Sequence, residues 1–135
     1  MHMASLLDRP PKLAGKHVLS VEDKPLVPLQ AENELRGAGA TVLGPAVCVD
    51  QALRLIGMAV ADGGISAAVL DINLDGRRVE PVADRLAALG VPFLFATGYG
   101  EGCDTGGHGT APVLSKPFAP ERLVAAVEAL ASGGA

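Results

Sequence analysis

The chain has 135 residues, of which 49% are hydrophobic and 19% charged, and carries a net charge of −4. That length suits one domain with a sizeable core, the apolar balance excludes disorder, and an acidic excess with no Lys/Arg cluster argues against a nucleic-acid surface. No apolar stretch approaches the roughly 18 residues that span a bilayer, and the amino end lacks a secretory pattern, so a cytoplasmic location away from membranes is expected.

Residues 1–15 read as a flexible leader, with Met1-His2-Met3 resembling a cloning remnant and Pro10-Pro11 close behind. From Lys16 onward short apolar runs alternate with helical patterns, the signature of repeated βα units, and a single domain over residues 16–131 follows. The first strand is His17–Val21. The helix after it runs from Pro25 to Arg36, with Val27, Ala31, Leu35 and Ala38 at three- and four-residue spacing and Gly37 and Gly39 as its stop. Pro28 lies near the limit of where a missing N–H is harmless, which predicts a distorted start. A second strand, Thr41–Leu43, ends at Gly44-Pro45. Asp50 is positioned to cap a helix that turns Leu53, Ile56 and Val60 inward, and Gly63-Gly64 closes it.

The third strand, Ser66–Leu70, is nearly all apolar, as a central parallel strand is. After a loop through Asp75-Gly76, a helix shows Val79, Val82, Ala83, Leu86 and Leu89 on one face, and Gly90 ends it. The fourth strand is Pro92–Ala96. Gly98 to Thr110 contains six glycines, each costing about 1 kcal/mol in a helix relative to alanine, so a mobile loop or a short, frayed fourth helix is expected there. Pro112–Leu114 is the fifth strand, the last helix starts near Pro120 and buries Leu123, Val124, Val127 and Leu130, and residues 132–135 form a tail. The fold class is α/β: a flavodoxin-like, doubly wound, five-stranded parallel sheet in the order 2-1-3-4-5, with helices on both faces.

Polar signals follow the strands. Glu22-Asp23 comes after the first, Asp71 after the third, Thr97 after the fourth and Lys116 after the fifth. Ligands of open α/β sheets bind beyond the carboxyl ends of the strands at the switch point, here between strands one and three, so the acidic signals become neighbours. Clustered carboxylates persist when a hard cation offsets their charge. Mg²⁺ (or Mn²⁺) suits oxygen donors from Asp23, Asp71 and the backbone carbonyl of Asn73, with Glu22 orienting bound waters. A carboxylate beside such a cation can attack a phosphoryl group, which makes Asp71 the nucleophile, with Thr97 and Lys116 facing the phosphoryl oxygens. Taken singly, Asp71 and Thr97 read as turn residues, Glu22-Asp23 as a helix cap, and Lys116 as a solvated charge. His108 reads as a solvated loop side chain, His17 has no ligand neighbour, and Cys48 and Cys103 read as ordinary thiols.

These residues resemble the receiver domains of two-component response regulators over Lys16 to Ala131: the acidic pair in Leu19-Ser-Val-Glu-Asp, the acceptor in Val69-Leu-Asp-Ile-Asn-Leu, Thr97, and Lys116-Pro117-Phe118. The resemblance implies phosphoryl transfer from a histidine kinase, or a phosphotransfer protein, onto Asp71 with Mg²⁺ at Asp23, Asp71 and the Asn73 carbonyl. It also implies a cis Lys116-Pro117 bond, a partner face over strand five and the last helix, and, without an output domain, a separate downstream protein or a self-dimer. Pro92-Phe-Leu-Phe-Ala-Thr-Gly-Tyr-Gly resembles a receiver subgroup carrying a Phe-Ala-Thr-Gly-Tyr motif. One departure from the family is Val113, three residues before Lys116, where receivers carry a Tyr or Phe; Tyr99, the only tyrosine, is the candidate replacement in the switch. Two other readings compete. One is an Mg²⁺-dependent phosphohydrolase or phosphotransferase working through an aspartyl-phosphate, although such enzymes carry a second Asp where this chain has Asn73. The other is a receiver-like binding module independent of phosphorylation.

Overall fold

The computed structural model describes residues 13–22, 28–74, 77–97, 108, 111–115 and 119–133. The elements in chain order are β1 (His17–Val21), α1 (Pro28–Gly37), β2 (Thr41–Ala46), α2 (Val49–Ala61), β3 (Ala67–Leu70), β4 (Asn73–Leu74), β5 (Arg77–Arg78), α3 (Glu80–Ala88), β6 (Phe93–Thr97), β7 (Val113–Ser115) and α4 (Pro120–Gly133). Five of the strands form one sheet in the order β2-β1-β3-β6-β7, every adjacent pair parallel. This is the predicted doubly wound order. The β4-β5 pair is a separate antiparallel hairpin.

Alternation along each strand divides the core. Leu19, Val21, Ala68, Leu70, Phe93 and Phe95 turn to one face, where α2 contributes Val49, Ala52 and Ile56 and α3 contributes Val82, Ala83 and Leu86. Val18, Ala67, Leu94, Ala96 and Leu114 turn to the other, against Leu35 of α1 and Leu123 and Val127 of α4. A sheet buried on both faces needs near-continuous apolar strands, which is what His17–Val21, Ala67–Leu70 and Phe93–Thr97 supply. Ring centroids of Phe93 and Phe95 lie 5.6 Å apart at 77°, an edge-to-face pair on one side of β6.

Several boundaries differ from the sequence reading for identifiable reasons. β2 does not end at Leu43 but continues through Gly44 and Pro45 to Ala46. Its register against β1 shifts between Leu19 and Val21, and Gly44 absorbs the shift at φ +105°, a value side-chain-bearing residues rarely adopt. The Gly44-Pro45 bond is cis; the cis bond implied at Lys116-Pro117 lies outside the described residues.

Asp50 does not cap α2. Cys48 holds the cap position without a side-chain cap bond, and Asp50 sits in the first turn, where a carboxylate still favours the helix dipole. Val60 is 52% exposed rather than inward, because Ala59 completes the stripe begun by Val49, Ala52 and Ile56 and the next residue rotates about 100° away. Leu89 follows the last turn of α3 as its C-cap and is more than a third exposed. Among α4 positions, Leu123 and Val127 are buried, while Val124 and Leu130 pack at the margin. The helix continues past Ala131 into the predicted tail, to Gly133. Pro28 opens the described part of α1; its predicted beginning at Pro25 lies outside the described residues, as does most of Gly98–Thr110. Leu13, placed by the sequence in a loose leader, is 1% exposed in the second core cluster, and its N–H donates to the Ala38 carbonyl at 2.8 Å.

A Cβ added at Gly44 would stand 2.6 Å from the Ser20 carbonyl oxygen and 2.7 Å from the Ala46 nitrogen, both backbone atoms. Gly44→Ala is therefore expected to lower the unfolding free energy in urea by roughly 1–3 kcal/mol. Gly37→Ala, in open space at the end of α1, is expected to be neutral or to gain up to about 1 kcal/mol. Equal midpoints for the two variants would refute the close approach at Gly44.

Candidate functional site

The site begins where the β1-β3 ladder ends. Val21 pairs with Leu70, and the residue that follows each strand is a carboxylate, Glu22 after β1 and Asp71 after β3. The ladder holds both backbones past the strand ends: the Asp71 N–H donates to the Val21 carbonyl at 2.9 Å, and the Glu22 N–H donates to the Ala46 carbonyl at 2.8 Å. The β2 bulge thus has a use, since Ala46 reaches Glu22 only after the register shift. Glu22 is 6% exposed and Asp71 7%. Burying negative charge is costly unless positive charge approaches it, so two carboxylates at one strand edge make a place suited to a cation.

On the far side of β3, Leu70 pairs with Phe95 and Val69 with Leu94, so β6 runs beside the strand that leads to Asp71 and ends at Thr97. Thr97 pairs with Ser115, the last residue of β7, and Lys116 follows Ser115 in the chain. The strand-end positions of Glu22, Asp71 and Thr97 therefore share one edge of the sheet. Asp23, Tyr99, Lys116 and Pro117 lie outside the described residues, as do the side chains of Thr97 and Asn73. Among the described residues no three His, Cys, Asp or Glu side chains group as a metal site; the described share of the predicted acidic trio is Glu22 and Asp71.

The sequence reading has a loop through Asp75-Gly76 before α3; the structure places the antiparallel pair β4-β5 on either side of it. The signal was present: Asp75-Gly76 between two dipeptides is a favoured two-residue hairpin connection. Asn73 pairs with Arg78 and Leu74 with Arg77, and the Val79 N–H donates to the Ile72 carbonyl at 2.9 Å. In an antiparallel ladder bonded pairs alternate with non-bonded pairs, so Asn73-Arg78 is a non-bonded position and the Asn73 carbonyl points away from β5. Ile72 and Val79, 5% and 2% exposed, clamp the hairpin base to the core. The Arg78 Nε lies 2.6 Å from Glu80 Oε1, tying β5 to the first residue of α3.

His108 differs from its reading as a solvated loop residue. Its Nε2 lies 2.7 Å from Asp84 Oδ1 on α3, and its ring meets Phe93 edge-to-face at 5.3 Å. His17, read as having no metal neighbour, has its Nδ1 3.2 Å from the Gly64 carbonyl, at the opposite end of β1 from the carboxylates. Val113, where the family carries an aromatic residue, is 45% exposed at the start of β7. Among the described residues no helix is long and apolar enough to cross a membrane.

No family model matches the chain. The solved structure of SdrG from Sphingomonas melonis Fr1 is similar at 40% identity and a TM-score of 0.69, covering 85% of this chain and 95% of SdrG. The response regulator PhyR from Brucella abortus is similar at 25% identity and a TM-score of 0.72, covering 96% of this chain and 52% of that one. Phyllosphere-induced regulator PhyR of Methylorubrum extorquens is 33% identical over 113 residues, 82% of this chain; the chain spans 41% of that relative's length.

Glu22→Gln removes the charge and keeps the backbone bond to Ala46, so the circular dichroism spectrum is expected to stay unchanged. Affinity for Mg²⁺, read by calorimetry, is expected to fall by on the order of tenfold through loss of one nearby negative charge. Unchanged affinity would remove Glu22 from the site.

Proposed function

The chain belongs to the receiver domains of two-component response regulators, and from that membership we propose that it accepts a phosphoryl group on Asp71 from a histidine kinase or a phosphotransfer protein. The observation that carries the reading is the pair of buried carboxylates, Glu22 and Asp71, side by side at the switch point of the parallel sheet. In the transfer, an Asp71 carboxylate oxygen forms the new O–P bond while the N–P bond of the donor phosphohistidine breaks. The electron pair of that bond returns to the imidazole nitrogen. Thr97, at the tip of β6, supplies a hydroxyl and Lys116, after β7, an ammonium to the phosphoryl oxygens.

The donor set suits a hard cation, being two buried carboxylates of hard oxygen chemistry beside a carbonyl the hairpin ladder leaves unused. Asp23, Asp71 and the Asn73 carbonyl would hold Mg²⁺ or Mn²⁺, with Glu22 orienting its waters; when bound, the cation withdraws charge from the phosphoryl oxygens.

Phosphorylation then alters partner binding through the face formed by residues 98–131, the partner being a separate protein or a second copy. The exposed Val113 cannot act as an aromatic reporter, and Tyr99, two residues beyond Thr97, takes that part.

Incubation with Mg²⁺ and a small acyl phosphate is expected to add about 80 Da to the intact mass, with no adduct on Asp71→Asn. Continuous phosphate release by wild type with no adduct would favour a phosphohydrolase instead, and an unmodified wild-type chain that still binds its partner would favour a phosphorylation-independent module.

A further inference from the structure

We propose that Arg78 and Glu80 are positioning residues for the acceptor site, their ion pair holding the β4-β5 hairpin so that the Asn73 carbonyl is presented beside Asp71. The inference rests on the proposed Mg²⁺-dependent acceptor function and goes beyond it by assigning a task to residues that touch neither phosphoryl group nor cation.

The hairpin is short, two residues a side, and a ladder of that length is marginal alone. Its base is secured by the Val79-to-Ile72 bond and by burial of those two side chains. Above the base, Asn73 faces Arg78 across a non-bonded pair, so no backbone bond ties these two residues directly. The pairs on either side, Ile72-Val79 and Leu74-Arg77, hold Asn73 to β5, so its position depends on where β5 lies. β5 is in turn fastened to α3 by Arg78 Nε and Glu80 Oε1 at 2.6 Å, and α3 is fixed in the core through Val82, Ala83 and Leu86. A chain of contacts thus runs from the packed helix through the ion pair to the strand opposite Asn73. A charged hydrogen bond with one guanidinium nitrogen directed at one carboxylate oxygen has a defined geometry, which a bare loop lacks.

The sign of one measurement separates positioning from simple electrostatics. Arg78 is a positive charge near a dication site, so by Coulomb repulsion alone its removal should tighten Mg²⁺ binding. If Arg78 positions the hairpin, Arg78→Ala should instead weaken it. Calorimetric titration of the full chain with Mg²⁺ is expected to give a dissociation constant about threefold higher for Arg78→Ala, in line with the worth of a partly exposed ion pair. Glu80→Gln is expected to give a similar rise, and the double variant no more than either single one, as for two members of one interaction. Thermal midpoints without Mg²⁺ read folding separately, and Arg78→Gln, which also removes the positive charge but keeps most of the stem, carries the test if Arg78→Ala does not fold. Tighter or unchanged binding in Arg78→Ala, or additive losses in the double variant, would overturn the proposal while leaving the acceptor function standing. Wild type that neither binds Mg²⁺ nor gains a phosphoryl adduct would overturn both.

Discussion

The structure depends on a parallel pairing that runs out at the same level on two strands. Val21 against Leu70 is the last rung between β1 and β3, and one residue further each chain carries a buried carboxylate. Slipping this register by one residue would exchange the two faces of a strand, sending Leu19 and Val21 toward α1 and α4 and separating Glu22 from Asp71. Hydrophobic packing and the chemistry of the edge are thus set by the same rungs. The core supplies the free energy that holds the carboxylates together: burial of Leu19, Leu70 and Phe95, each at most 1% exposed, is worth roughly 1.5–3 kcal/mol per side chain. Desolvating the carboxylates opposes it.

Two departures from regular structure and one strand extension lie beside that rung, and each bears on the edge. The bulge at Gly44 delivers the Ala46 carbonyl to the Glu22 N–H, which a strand ending at Leu43 could not do. The antiparallel β4-β5 pair after Asp71 leads into α3, and its register leaves a carbonyl aimed outward two residues beyond Asp71. β6 extends to Thr97, whose backbone is held against Ser115 of β7. Irregularity collects where the sheet meets its function, while the interior of the ladder stays regular.

Most of the fold was legible because its signals are local. Apolar runs marked the strands, and stripes such as Val82, Ala83 and Leu86 marked the helices, since both report which face is buried. The strand order and the pairing of Glu22 with Asp71 followed from a topological rule applied to those elements. What was missed depends on partners distant in sequence. Pro45 looks like a strand terminator until β1 is seen to shift register beside it. Leu13 looks like leader until the Ala38 carbonyl accepts its N–H. Asp50 looks like a cap, but the chain enters α2 two residues earlier, at Cys48. His108, among glycines, gave no sign that Asp84 lies 24 residues back along the chain and 2.7 Å away in space.

That last contact shows how one strand serves two ends of the molecule. Phe93 and Phe95 share a face of β6 because side chains alternate, and the pair is stacked edge-to-face. Phe95 lies opposite Leu70, the residue before Asp71, whereas Phe93 receives the ring of His108. Asp84, which binds that imidazole, is on the same helix as Val82, Ala83 and Leu86, which belong to the same core cluster as both phenyl rings. α3 is therefore held from three directions: by the core on its inner face, by Arg78 at its first residue, and by His108 at its middle. A helix so fastened is a fixed reference for the chain on either side of it. Arg78 of the hairpin and His108 both bond to it, although 30 positions separate the two in the chain.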